Sequence, residues 1–309
     1  MTAQTRRWRA TAVVLLVAPE HLTAANIRKR YLVQLEQHHK RELWNGLRHE
    51  LNLLDSFLTS PLHRHTKSPT LWSHRRWLVT HFYDEMQHVL DAPSMAVADH
   101  QADAQTAKNV VRDKRTFSEV DLAGRTHQYL ATLFLKQEYE VVRKAGQQHP
   151  RNYVAYDYMR YIIPLLVDRG ADVDALPPLS ISASPGDTST VSFIQFRLRL
   201  LAERNVQSSS GSHVVHDTID NALQYKWQSE AVWSLVRVAL SSTNAVGLPE
   251  DARQGYLGVL REWLGTHMEH EKHDVLHELN LGDARAIADT RLRAVVEKTV
   301  HWVEEWLES

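Results

Sequence analysis

Cysteine is missing altogether from the 309 residues. That excludes disulfides, thiolate zinc sites and a cysteine nucleophile, and it fits a reducing compartment, so a cytoplasmic location is expected. Glycine (11) and proline (10) are scarce, which suits long helices joined by few turns. An excess of one charge is missing too. The 36 Lys and Arg against 37 Asp and Glu leave a formal net charge of −1. No global field draws the chain to nucleic acid, so cationic function must come from local patches and no nucleic-acid partner is expected. Long apolar runs are absent. Ala10–Ala18, behind the arginines of Arg6–Arg9, superficially mimics a signal peptide but is too short to cross a membrane. It reads as a buried first helix, and no transmembrane segment is expected. Neither G-x-x-x-x-G-K nor H-E-x-x-H occurs.

What is present is an ordinary globular composition, 43% hydrophobic and 24% charged, with unusually many histidines (19) and tryptophans (9). The length allows one large domain, two ordinary ones, or one extended repeat stack. Helical periodicity recurs throughout. Leu43, Leu47, Leu51, Leu54, Phe57 and Leu58 mark one face of a helix. A helix from His21 is expected to be capped by Thr23, and another near the C-terminus by Asp283. Residues 117–144 read as two helices broken near Gly124, and Asn152–Val167 as a helix with Pro164 as a possible kink near its end. Residues 91–106, polar and alanine-rich, read as an insert. Residues 170–190 and 204–213, rich in Ser, Pro and Gly, read as flexible insertions within a single 1–309 domain. No stretch shows sustained β-branched alternation. The fold class is therefore all-α.

The densest stretch is K-S-P-T-L-W-S-H-R-R-W-L-V-T-H, Lys67 to His81. Pro69 suits a first helical turn with Ser68 as N-cap. Comparison along the chain finds it repeated. T-A-A-N-I-R-K-R begins at Thr23, R-N-Y-V-A-Y-D-Y-M-R-Y-I at Arg151, and S-E-A-V-W-S-L-V-R-V-A-L at Ser229. The anchors are Ala25, Trp72, Tyr156 and Trp233. An arginine follows three or four residues later, at Arg28, Arg75, Arg160 and Arg237. These arginines are expected to tie adjacent units through carboxylates or carbonyls. Helix–turn–helix units of this kind bury their apolar faces by stacking.

These residues resemble the α-subunit repeat of protein prenyltransferases, N-Y-x-x-W-x-x-R-x-W. The copy running from Trp72 through Arg75 to Trp77 fits best. The third copy keeps Asn152 and Tyr153, with Tyr156 and Tyr161 for the tryptophans and Met159 where the arginine stands. The resemblance implies a right-handed α–α superhelix of helical hairpins. It implies the α subunit of a heterodimeric enzyme that transfers an isoprenoid, geranylgeranyl being favoured, to a C-terminal cysteine of a protein substrate. A β subunit would be the partner and would hold the zinc and the isoprenoid diphosphate, leaving no cofactor on this chain. The lysine five before the repeat tryptophan maps to Lys67, and the tyrosine of the N-Y pair to Tyr153; both would face the diphosphate. The family's histidine after that tyrosine is Val154 here, which cannot donate a hydrogen bond. A non-catalytic helical-repeat scaffold is the alternative reading. His270, His273 and His277 could share one helical face, but a plain surface helix explains them as well, and no metal ligand is assigned.

Overall fold

The computed structural model describes residues 3–86, 119–177, 186–203, 209–241, 248–274 and 284–308. They form helices α1 (Ala3–Val17), α2 (Leu22–His38), α3 (Lys40–Leu58), α4 (His63–Thr66), α5 (Pro69–His81), α6 (Glu119–Gln148), α7 (Tyr153–Val167), α8 (Thr188–Glu203), α9 (Ser209–Gln224), α10 (Glu230–Ser241), α11 (Glu250–Asp274) and α12 (Ala284–Glu308). The all-α expectation holds, with no strand among the described residues. No described helix is long and apolar enough to cross a membrane. The expected insert 91–106 and the expected cap Asp283 lie outside the described residues.

The chain divides into two compact units, residues 1–176 and 177–309. In the first, α2 packs on α1, α3 and α5, and α5 packs on α3 and α7. The motif-bearing helices α2, α5 and α7 thus stand side by side in chain order. Helix α6 packs on α7 and also meets α3, which forms a second layer behind them. Amphipathic hairpins bury their apolar stripes in this way because none can do so alone. Leu43, Leu47, Leu54 and Leu58 are essentially inaccessible, as are Leu71, Leu78, Leu135, Ile162 and Leu166. In the second unit α10 is the centre, packed by α8, α9, α11 and α12. Val232, Trp233 and Val236 meet Ile194, Ile219, Leu260, Val296 and Val303 there.

Several local expectations need correction. The N-cap of α2 is His21, whose side chain accepts from the Ala24 amide at 3.1 Å, not Thr23. Helix α6 runs unbroken past Gly124, because a lone glycine costs a helix only about 1 kcal/mol and tertiary packing offsets it. Residues 209–213, expected to be loop, open α9. Residues 251–274, expected to belong to two helices, form one. Pro164 lies inside α7 one turn before its end, at the position expected. Helix α1 forms as expected, yet only part of its apolar run is buried. Leu15 is inaccessible, whereas Val13 and Val17 are 62% and 67% exposed.

Candidate functional site

The four motif copies share one local construction. The residue four before each anchor begins the helix, its carbonyl accepting the anchor's amide. His21 does so for Ala25, Ser68 for Trp72, Asn152 for Tyr156 and Ser229 for Trp233, at 3.2–3.3 Å. Ser68 and Asn152 also cap with their side chains, accepting from Leu71 N at 3.1 Å and Ala155 N at 3.3 Å. Both tryptophan anchors donate Nε1–H to the carbonyl six residues back. Trp72 reaches Thr66 O at 2.8 Å and Trp233 reaches Trp227 O at 2.7 Å. A buried indole N–H needs such a partner, and the bond fixes the turn that precedes the helix.

That turn joins the second copy to the third. The Thr66 carbonyl accepts a second bond, from Asn152 Nδ2 at 3.0 Å, and Asn152 is wholly buried. Beside it, Lys67 Nζ donates to Pro150 O at 2.8 Å. Arg151 takes φ 61, the left-handed turn that lets the chain reverse between α6 and α7. Tyr153, 54% exposed, is the first residue of α7. Both sequence-predicted site residues therefore sit at one junction, which Asn152 holds. His63 and His149 meet edge-to-face across it at 5.5 Å. Val154 is half-buried.

An ammonium has three N–H donors, and Lys67 commits one to Pro150. No carboxylate among the described residues pairs with it. The His63 and His149 rings and the exposed Arg151 stand around it. Such an arrangement can hold an oxyanion, with Lys67 as point charge and Tyr153 as a neutral donor. Among the described residues no group of three or more His, Asp or Glu could hold a metal. The backbone of 267–274 forms the end of α11, but the side chains of His270, His273 and His277 lie outside the described residues.

Behind the junction lies a set of buried polar residues that motif reading did not single out. Arg28 makes a two-point pair with Glu50, both bonds 2.7 Å, and its Nη1 donates to Trp8 O and Thr11 Oγ1. His74 Nε2 donates to the same Glu50 at 2.8 Å. Burial by itself raises the Glu50 pKa, but the contacts of His74 and Arg28 outweigh it and hold the carboxyl at about 2. Arg75 pairs with Glu138 at 2.7 and 2.9 Å and with Asp55 at 2.5 Å, and the Tyr158 hydroxyl donates to Glu138. Burial and then the Glu138 charge push the Tyr158 phenol far above its ordinary range. Each acid thus joins the arginine three after one anchor to the residue two after the next anchor. In the third and fourth copies the position three after the anchor holds Met159 and Val236, both inaccessible. Arg237 instead pairs with Glu230 and bonds Thr299 Oγ1 at 3.2 Å. Arg76 is exposed and lies over the Tyr161 ring at 3.8 Å.

This geometry accounts for a match found by comparison. Residues 47–82 match the family model of the protein prenyltransferase alpha subunit repeat. The chain carries this repeat. The matched segment runs from within α3 to the end of α5, and so contains Glu50, Thr66, Lys67, Trp72 and Arg75. In this repeat the tryptophan and arginine are architectural: Trp72 fixes the turn, and Arg75 fastens the helix to α6 and α7. No curated protein matches the chain, and no solved structure does.

Proposed function

We propose that the chain is the alpha subunit of a heterodimeric protein prenyltransferase. It would help transfer an isoprenoid, geranylgeranyl in our reading, from its diphosphate to a cysteine of a protein substrate. The observation that carries this reading is the junction of Lys67 and Tyr153 beside a matched alpha subunit repeat. In the reaction the substrate thiolate forms a carbon–sulfur bond at the allylic carbon. The carbon–oxygen bond breaks, and diphosphate leaves with the electron pair. Negative charge grows on the departing oxygens, and a preorganised cation stabilises it. Lys67 supplies that cation, and the Tyr153 hydroxyl, at the exposed start of α7, donates beside it. Zinc and the isoprenoid pocket would belong to the β subunit, as the resemblance to prenyltransferase alpha subunits implies.

A second reading, a helical-repeat scaffold, is favoured by one contact. Lys67 Nζ on the Pro150 carbonyl also works as a strut between two turns. Co-expression with a prenyltransferase β chain separates the two. A stable complex that prenylates a C-terminal cysteine substrate is the expected result, and failure to associate overturns the subunit reading.

A further inference from the structure

We propose that the outer face of α1, with Leu22 and Leu62, docks onto an anionic lipid surface. Helix α1 is apolar on two sides. Trp8, Thr11 and Leu15 form the inner side, where Arg28 of α2 bonds Trp8 O and Thr11 Oγ1 at 2.9 and 3.0 Å. The outer side is a second stripe, Arg6, Ala10, Val13 and Val17, at the spacing that places residues on one helical face. Val13 is 62% and Val17 67% exposed, and Leu16 beside them is exposed too.

Two other segments extend the patch. Leu22, the first residue of α2, is 65% exposed, and Leu62, just before α4, is also in solvent. His65 Nε2 reaches the Leu16 carbonyl at 2.9 Å and Arg64 Nη2 reaches it at 3.5 Å, which seats the 62–65 segment against the end of α1. Exposed valine and leucine side chains from three elements thus gather at one end of the first unit. Exposed apolar side chains gathered in one place mark a place of contact.

Charge selects the occupant. Arg6, Arg7 and Arg9 are exposed on α1, and Arg64 is exposed beside its end. No Asp or Glu occurs in the first 19 residues. Glu20, the first acid, accepts a hydrogen bond from the Thr70 hydroxyl at 2.6 Å. On α1 the apolar face is flanked by arginines and free of carboxylates, which complements the negative surface of an anionic bilayer. The stripe from Arg6 to Val17 is roughly 16 Å long, so it rests on the surface rather than crossing. The arginine stems lie along the apolar layer and carry the guanidinium groups to the phosphates.

The test is flotation of the full chain with two vesicle preparations, pure phosphatidylcholine and an equal mixture with phosphatidylserine. Salt-sensitive flotation with the mixed vesicles alone is expected. Arg6→Ala with Arg7→Ala should weaken partitioning about fivefold per arginine. Val13→Ser with Val17→Ser should weaken it roughly tenfold. These four side chains are exposed, so both variants should keep the wild-type thermal midpoint, read by circular dichroism. Wild-type protein that floats with neither preparation, or equally with both, overturns the proposal. So does the absence of flotation together with loss of self-association, or of β-chain assembly, in the valine variant, which would assign the face to a protein. None of these readouts requires prenyl transfer, so the proposal stands or falls apart from the enzymatic one.

Discussion

Arg75 on α5 and Tyr158 on α7 share one carboxylate, that of Glu138 on α6. The same arrangement one unit earlier joins Arg28 and His74 through Glu50. Two consecutive layers are thus fastened by a buried acid that accepts from both neighbours. The later copies replace the arginine with Met159 and Val236. Dropping a buried cation and its acid together is tolerable, because a burial cost disappears along with the pairing.

Removing one partner alone should be costly. Glu138→Ala leaves Arg75 buried with only Asp55 and leaves the Tyr158 hydroxyl without its acceptor. A loss of about 3 to 5 kcal/mol in urea unfolding is expected. The triple change Arg75→Met, Glu138→Leu and Tyr158→Phe should recover most of it, since no buried polar group is then stranded. A triple variant as unstable as Glu138→Ala would contradict this account of the pairing.

Glu50 sets a pH dependence. Its carboxyl is held at about 2, against an ordinary 4.5. A depressed folded-state pKa contributes stability that is fully present above 4.5 and is lost as pH falls toward about 2. The contribution is roughly 3 kcal/mol. Urea midpoints followed through that window should fall less steeply for Glu50→Gln than for the wild type. Parallel curves would show that the Glu50 carboxyl is not depressed.

Gly146 makes room for the third anchor. A Cβ there would meet Oη and the adjoining ring carbon of Tyr156 well inside contact distance, and Tyr156 is 3% exposed. Gly146→Ala should therefore destabilise the protein by about 1 to 3 kcal/mol. Tyr156→Phe should cost less in the Gly146→Ala background than in the wild type, because it removes the closest atom. Equal costs in thermal melts of the two backgrounds would show that the two residues do not touch.

Much of this fold is legible in the residues themselves. The 3.6-residue period marks the helices, and Ser68 and Asn152 cap as their chemistry suggests. His21 in place of Thr23 could not be read, since the choice of cap depends on where the chain arrives from the previous helix. The acids left a signal that went unused. Glu50 continues the stripe Leu43, Leu47 and Leu54, and Glu138 lies between the buried Leu135 and Val142. A carboxylate on an apolar stripe needs a buried cation, but periodicity names the face and not the partner. The contact of Lys67 with Pro150 joins turns 83 residues apart, which only the packed helices bring together. The half-exposed apolar run of α1 escaped for the same reason: a helix apolar on both sides reads as buried until its neighbours are known.

The central claim concerns the charge of Lys67, and single-turnover prenyl transfer by the assembled heterodimer tests it most directly. With wild type, Lys67→Arg and Lys67→Ala each co-purified with the β chain, loss of the cation should slow the chemical step roughly a hundredfold, with substantial recovery in Lys67→Arg. A Lys67→Ala heterodimer that transfers the isoprenoid at the wild-type rate would contradict the account and leave Lys67 as a strut to Pro150.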